Sequence, residues 1–158
     1  MSSHSAVHST IVIERHLRAS PARAFRAWAD PASKQKWFAC HDDWVSLAYS
    51  LDFRPGGKER NHVADSEGLL HAYDAHYLDV IENARIIYAY EMKLGEKRIS
   101  ASLATVTFEE GPAGTKMVFT EQVVFLDGYA DDGLRLQGTE IALDHFQAFV
   151  ERETSQVH

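Results

Sequence analysis

The hydrophobic pattern of the chain changes period three times. Thr10 to Leu17 reads Thr-Ile-Val-Ile-Glu-Arg-His-Leu, β-branched at its start, which predicts a strand over 10–17. Ser20-Pro21 then gives a helix start, with serine as N-cap and proline at the first helical position. Ala24, Phe25 and Trp28 follow at helical spacing. Asp30-Pro31 repeats the signal and predicts a second short helix to about Phe38. A residue before proline is held out of the α region, so a kink separates the two helices.

From residue 44 the pattern becomes strands and turns. Arg54-Pro55-Gly56-Gly57 suits a type II turn, with proline second and glycine third. Further turn clusters are Asp65 to Gly68, Glu82 to Ala84, Leu94 to Glu96 and Gly111 to Gly114. Val, Ile, Tyr, Phe and Thr dominate between them. Strands are therefore expected over 44–53, 58–65, 69–81, 85–93, 98–110 and 115–126, seven with the first. Short turns between consecutive strands favour an antiparallel meander. Asp131-Asp132-Gly133 opens a last helix, on which Leu134, Ile141, Ala142, Leu143, Phe146, Phe149 and Val150 form a broad apolar face ending near Arg152. The predicted fold class is α+β: a curved antiparallel sheet wrapped around a long C-terminal helix, with two short helices between the first two strands.

Composition narrows the class. Residues 1–158 read as one domain, with 45% apolar and 25% charged residues, an ordinary globular balance. The net charge of −7 disfavours nucleic-acid binding, which runs on basic patches. No apolar run is long enough to span a membrane. The opening Met-Ser-Ser-His-Ser lacks a signal-peptide pattern, so the cytoplasm is the expected compartment. The single cysteine, Cys40, excludes an internal disulfide framework.

Local motifs add a resemblance. They are Ala19-Ser20-Pro21-Ala22-Arg23-Ala24-Phe25-Arg26-Ala27-Trp28, Lys36-Trp37-Phe38 and Asp52-Phe53-Arg54-Pro55-Gly56-Gly57. They continue in the run from Tyr77 to Tyr88, in Ala104 to Phe108 and in Gly114 to Gln122. With the element order, these resemble the START-like (SRPBCC) helix-grip superfamily, and within it the homologues of the activator of heat-shock-protein-90 ATPase. The resemblance covers nearly the whole chain. It implies the helix-grip fold and a cavity for a hydrophobic ligand; some members are cyclases. The motifs name no reaction, and fold does not give function. Many relatives carry an aromatic two residues after the Gly-Gly pair, where this chain has Glu59. The separate chaperone-binding domain of the eukaryotic co-chaperone is not expected here.

A sheet gripping a helix leaves a cavity unless large side chains fill it. Gly138 falls mid-helix, where glycine costs about 1 kcal/mol against alanine. It marks either close packing on the sheet or room for a ligand. Leu134, Gly138 and Ile141 share a flank and could roof one space. Alternation groups Met117, Phe119 and Glu121; Tyr88, Tyr90 and Met92; Glu59, Asn61 and Val63; and His71, Tyr73, Ala75 and Tyr77. If the aromatic faces point inward, Glu59 and Glu121 go with them. A buried carboxylate needs a partner, for which Arg60 or His71 would serve Glu121. The ligand-binding candidates are Glu59, Asn61, His71, Tyr73, Tyr88, Tyr90, Met117, Phe119, Glu121, Leu134, Gly138 and Ile141. Glu121 and His71 are the catalytic candidates. For each polar residue the alternative is an ordinary structural role.

No metal site is expected. Cys40-His41-Asp42-Asp43 cannot readily close a tetrahedron from adjacent positions, and His62 and His71 fit no ligand spacing. Cys40 reads as a small buried hydrophobe beside Trp37, Phe38 and Trp44. Gly56-Gly57 lacks the rest of a dinucleotide loop, and no nucleophile elbow is present. The expectation is a binder of an apolar or aromatic small molecule, without a cofactor. The alternatives are a cyclase or hydrolase with Glu121 as general base and His71 or a tyrosine as its partner, and a chaperone-interacting protein. The sequence leaves a homodimer open.

Overall fold

The computed structural model of the chain describes residues 4–38 and 43–155. Its elements run β1 (Ala6–Leu17), α1 (Pro21–Ala29), α2 (Pro31–Phe38), β2 (Val45–Leu51), β3 (Lys58–Ala64), β4 (Leu70–Ile81), β5 (Arg85–Leu94), β6 (Lys97–Gly111), β7 (Gly114–Leu126) and α3 (Leu134–Ser155). The strands form one sheet in the order β1-β7-β6-β5-β4-β3-β2, every pair antiparallel. This is the expected meander, with β1 returning to pair with β7. β1 starts at Ala6 rather than Thr10, because the register with β7 continues to Ala6 opposite Leu126. Register shifts at Ser46/Ala48, Tyr77/Asp79 and Met92/Lys93 bend their strands and give the sheet curvature.

Local chemistry sets the element ends. Ser20 Oγ accepts from the Arg23 N–H at 3.2 Å, capping α1. Asp30 serves two helices. Its N–H closes α1 on the Arg26 carbonyl, its backbone is extended as the following proline requires, and its carboxylate accepts from Ser33 N–H at 3.0 Å to open α2. The type II turn forms as read: Gly56 has φ +84°, and the Gly57 N–H donates to the Arg54 carbonyl at 2.8 Å. A Cβ on Gly57 would run into the Asp52 carbonyl, so only glycine fits. This turn hydrogen-bonds to Tyr77 of β4 through both Gly56 N–H and Gly57 C=O.

The core lies between the concave sheet face and the helices. Trp28, Trp37 and Phe146 meet there, with ring centroids 4.9–5.8 Å apart. α3 divides into two halves. Leu143, Phe146 and Val150 are buried, and Phe149 is half-buried against them. Leu134 and Ile141 in the first half stay about half exposed. The helix therefore packs at its C-terminal half and stands off the sheet at its N-terminal half. No described helix is long and apolar enough to cross a membrane.

One buried ion pair fastens α2 to the sheet. Lys34 Nζ donates to Glu59 Oε1 at 2.7 Å and to the Tyr77 hydroxyl at 3.1 Å. Tyr77 and Tyr49 hydroxyls donate to the two Glu59 oxygens. The ammonium also lies 4.6–5.8 Å from the ring centres of Trp28, Trp37, Phe38, Tyr77 and Tyr88. Burial pulls the Lys34 pKa below its ordinary value, with Glu59 opposing.

Two stability outcomes are expected. Phe146→Ala should cost about 3–5 kcal/mol in denaturant unfolding, since the ring is fully enclosed. Lys34→Met should cost about 3–5 kcal/mol by leaving Glu59 uncompensated, and adding Glu59→Leu should recover part of it. Lys34 loses its proton at lower pH folded than unfolded, so the unfolded chain binds the extra proton. The advantage of wild type over Lys34→Met should therefore grow as pH rises from 7 toward the unfolded lysine value. An advantage that shrinks over that range would show that Glu59 outweighs burial and holds the Lys34 pKa above its ordinary value.

Candidate functional site

The stand-off of α3 leaves a cleft of about 550 Å³ between the sheet and the helix. Aromatic rings make much of its wall: Trp28, Trp37, Phe38, Trp44, Tyr73, Tyr88, Tyr90, Phe119 and Tyr129. The first half of α3 supplies the roof with Leu134, Arg135, Gly138, Thr139 and Ile141. A Cβ at Gly138 would meet nothing within 4 Å. Of the two readings of that glycine, close packing is absent and open space is present. A second depression of about 490 Å³ lies over Thr10, Leu103 and Gln122, but none of its lining residues has a buried polar atom without a partner.

At the β7 side of the cleft, Glu121 is 1% exposed. Its Oε2 accepts from the Tyr90 hydroxyl at 2.7 Å, Ser102 Oγ at 2.7 Å and Arg135 Nη1 at 3.1 Å. Arg135 Nη2 donates to Ser100 Oγ at 2.6 Å. The guanidinium also lies about 5.5 Å from the ring centres of Tyr90 and Phe125. Burial alone would lower the Arg135 pKa, but Tyr90 and Glu121 outweigh it and hold it above its usual range. The expected partners of Glu121, Arg60 and His71, lie elsewhere. Arg60 is 3.6 Å from Asp74, on the face opposite to Glu59 and Asn61. His71 Nε2 sits 3.0 Å from Asp65 Oδ2, with its ring against Trp44. His71's hydrogen bond, with the Leu69 and Glu67 N–H groups, holds the Asp65 carboxyl below the usual range. Glu121 and His71 thus belong to separate networks; of the partners expected for Glu121 in the enzyme alternative, it is a tyrosine, Tyr90, that meets it.

Tyr90, Tyr73 and Tyr88 are buried, which raises their pKa values; Glu121 adds to the effect on Tyr90. Their hydroxyls are therefore protonated at neutral pH, and that of Tyr90 donates to Glu121. Among the described residues, four buried side-chain atoms have no hydrogen-bond partner: Trp28 Nε1, Asn61 Oδ1, Tyr73 Oη and Glu121 Oε1. All four belong to residues lining the cleft. The Tyr73 hydroxyl interacts with that of Tyr88 but does not reach hydrogen-bond geometry.

The structure gathers Asn61, His71, Tyr73, Tyr88, Tyr90, Phe119, Glu121, Leu134, Gly138 and Ile141 around this cleft. Glu59 and Met117 point inward but lie outside it. Glu59 is covered by Lys34. Met117 pairs in register with Phe108, at the end of the sheet that Phe25 of α1 closes. Arg135 was not among the sequence candidates, yet the apolar stripe of α3 carried a signal for it. Val150, Phe146, Leu143, Thr139 and Arg135 step back by four, three, four and four residues. That path leads the buried face directly onto a cation. Among the described residues no cluster of His, Cys, Asp and Glu could hold a metal ion. Cys40, His41 and Asp42 lie outside the described residues.

The fold recurs in solved structures. An uncharacterized protein from Rhizobium leguminosarum is 71% identical, covering 96% of this chain and 99% of its own, with a TM-score of 0.92. The Mll3558 protein from Rhizobium loti is 36% identical over 92% of this chain and 99% of its own, with a TM-score of 0.86. An AHSA1-like protein from Aeromonas hydrophila, 21% identical over 95% of this chain and 97% of its own, shares the fold at a TM-score of 0.68. No curated protein matches the chain. The family model that matches covers residues 18–151, from the end of β1 into α3, and so includes both the ion pair and the cleft. The chain therefore belongs to the family of Activator of Hsp90 ATPase homolog 1-like proteins.

Proposed function

We propose that the protein binds an apolar, aromatic small molecule in the cleft beneath the first half of α3. One observation carries this reading: the buried polar atoms left without partners all come from cleft residues. Leaving such a group unpaired costs about 1–3 kcal/mol, so a bound molecule that pairs several of them in one place gains affinity there. The aromatic walls supply the apolar contact, and a cleft of about 550 Å³ suits a drug-sized ligand. Family membership supports the reading through the shared fold. The open space at Gly138 supports it through local geometry.

Native mass spectrometry of the purified protein should find a small molecule bound stoichiometrically, and the neutral dye Nile red should bind with a blue-shifted emission. Gly138→Ala should raise stability by about 1 kcal/mol with dye binding kept, because the added methyl meets open space. Gly138→Trp should fill the cleft and abolish dye binding. Undiminished binding by a folded Gly138→Trp protein would move the site elsewhere. Glu121→Gln should lower stability by about 3 kcal/mol at neutral pH, since Arg135 is only 11% exposed and would lose its charged partner. An unchanged denaturation midpoint would show that Arg135 re-solvates freely.

A further inference from the structure

Two inward carboxylates stand on the same sheet, and they are finished differently. Both Glu59 oxygens are occupied, Oε1 by Lys34 and Tyr77 and Oε2 by Tyr49. Glu121 has three donors crowded on Oε2 and none on Oε1. Tyr90, Ser102 and Arg135 together fix the carboxylate, so it cannot turn to share its donors without breaking the set. Oε1 is thus a fixed, buried acceptor on a residue that lines the cleft.

The surroundings restrict what can meet it. An anion would face a carboxylate oxygen. Arg135 offers it little relief, since Nη1 is directed at Glu121, Tyr90 and Ser102 and Nη2 at Ser100. A cation would face Arg135, held 3.1 Å from the same carboxylate, which it already neutralises. A neutral donor meets neither obstacle. We propose that the ligand presents an uncharged O–H or N–H group to Glu121 Oε1, and that the cleft discriminates against carboxylates and against isosteres lacking the hydrogen. This rests on the cleft being the binding site. A site built to accept a hydrogen bond rejects the analogue that lacks it, because its own polar atom is then left unpaired.

The test is displacement of Nile red from the wild-type protein at pH 7 by ligands of matched shape. For the O–H arm they are 2-naphthol, 2-methoxynaphthalene and 2-naphthoate. For the N–H arm they are carbazole and fluorene, which differ in one N–H. Hydrogen bonds to charged groups imply that 2-naphthol should displace the dye at least about ten-fold more tightly than 2-methoxynaphthalene. Carbazole should exceed fluorene in the same sense if an N–H serves as well as an O–H, and 2-naphthoate should be weakest. In Glu121→Gln the naphthol preference should fall below about three-fold; the wild-type series decides the matter even if that variant does not fold. Naphthol and its methyl ether binding within two-fold would overturn the proposal, because a water would then be completing Oε1. Tightest binding by 2-naphthoate would also overturn it, making Arg135 an anion receptor. If the dye and every competitor fail to bind, the cleft itself is not a binding site, and the proposal falls with it.

Discussion

The contact between Lys34 and Glu59 constrains the rest of the molecule. Removing an ammonium and a carboxylate from water costs several kcal/mol each unless nearly every polar atom is satisfied. Here two tyrosine hydroxyls complete the carboxylate, and ring faces surround the ammonium. Those requirements fix α2 over β3 and β4 in one position. Trp28, Trp37, Phe38 and Tyr88 each serve the ammonium and also line the cleft. The ion pair therefore positions one wall of the site without entering it. It also gives a reason for a carboxylate at residue 59.

The division of α3 gives the complementary wall. Its second half is buried by Leu143, Phe146 and Val150 against the rings of α1 and α2. Anchored there, the first half can stand clear of the sheet without being lost to solvent. Asp131 accepts from the Arg135 N–H at 3.1 Å and caps this half, while the Arg135 side chain reaches back to β7, β6 and β5. One residue thus ties the roof to the floor at the β7 side of the cleft. Stability is concentrated at one end of the helix, and the space for a ligand at the other.

Much of the architecture was set by local rules that a sequence carries openly. Asp30-Pro31 had to separate two helices, because a residue before proline avoids the α region. Pro55-Gly56 had to turn, because only glycine readily takes φ near +84° at that position. Strand alternation put Glu59, Asn61, Tyr73, Tyr90 and Glu121 on one face, since the side-chain period of a strand is two. Pairing of charges was not local. Arg60 neighbours Glu59 in sequence, but the same alternation sends it to the outer face, where it meets Asp74. The partners that matter stand 25 and 14 residues away from Glu59 and Glu121, on helices whose docking no strand pattern records. So the sequence by itself determined the elements, their order, and which carboxylates would be buried. Only the tertiary structure decided that Glu59 would be closed by Lys34, and that Glu121, held by Arg135, would keep one oxygen without a hydrogen-bond partner. Burial follows from a side chain's own period, whereas the cation that meets it depends on how separate elements pack.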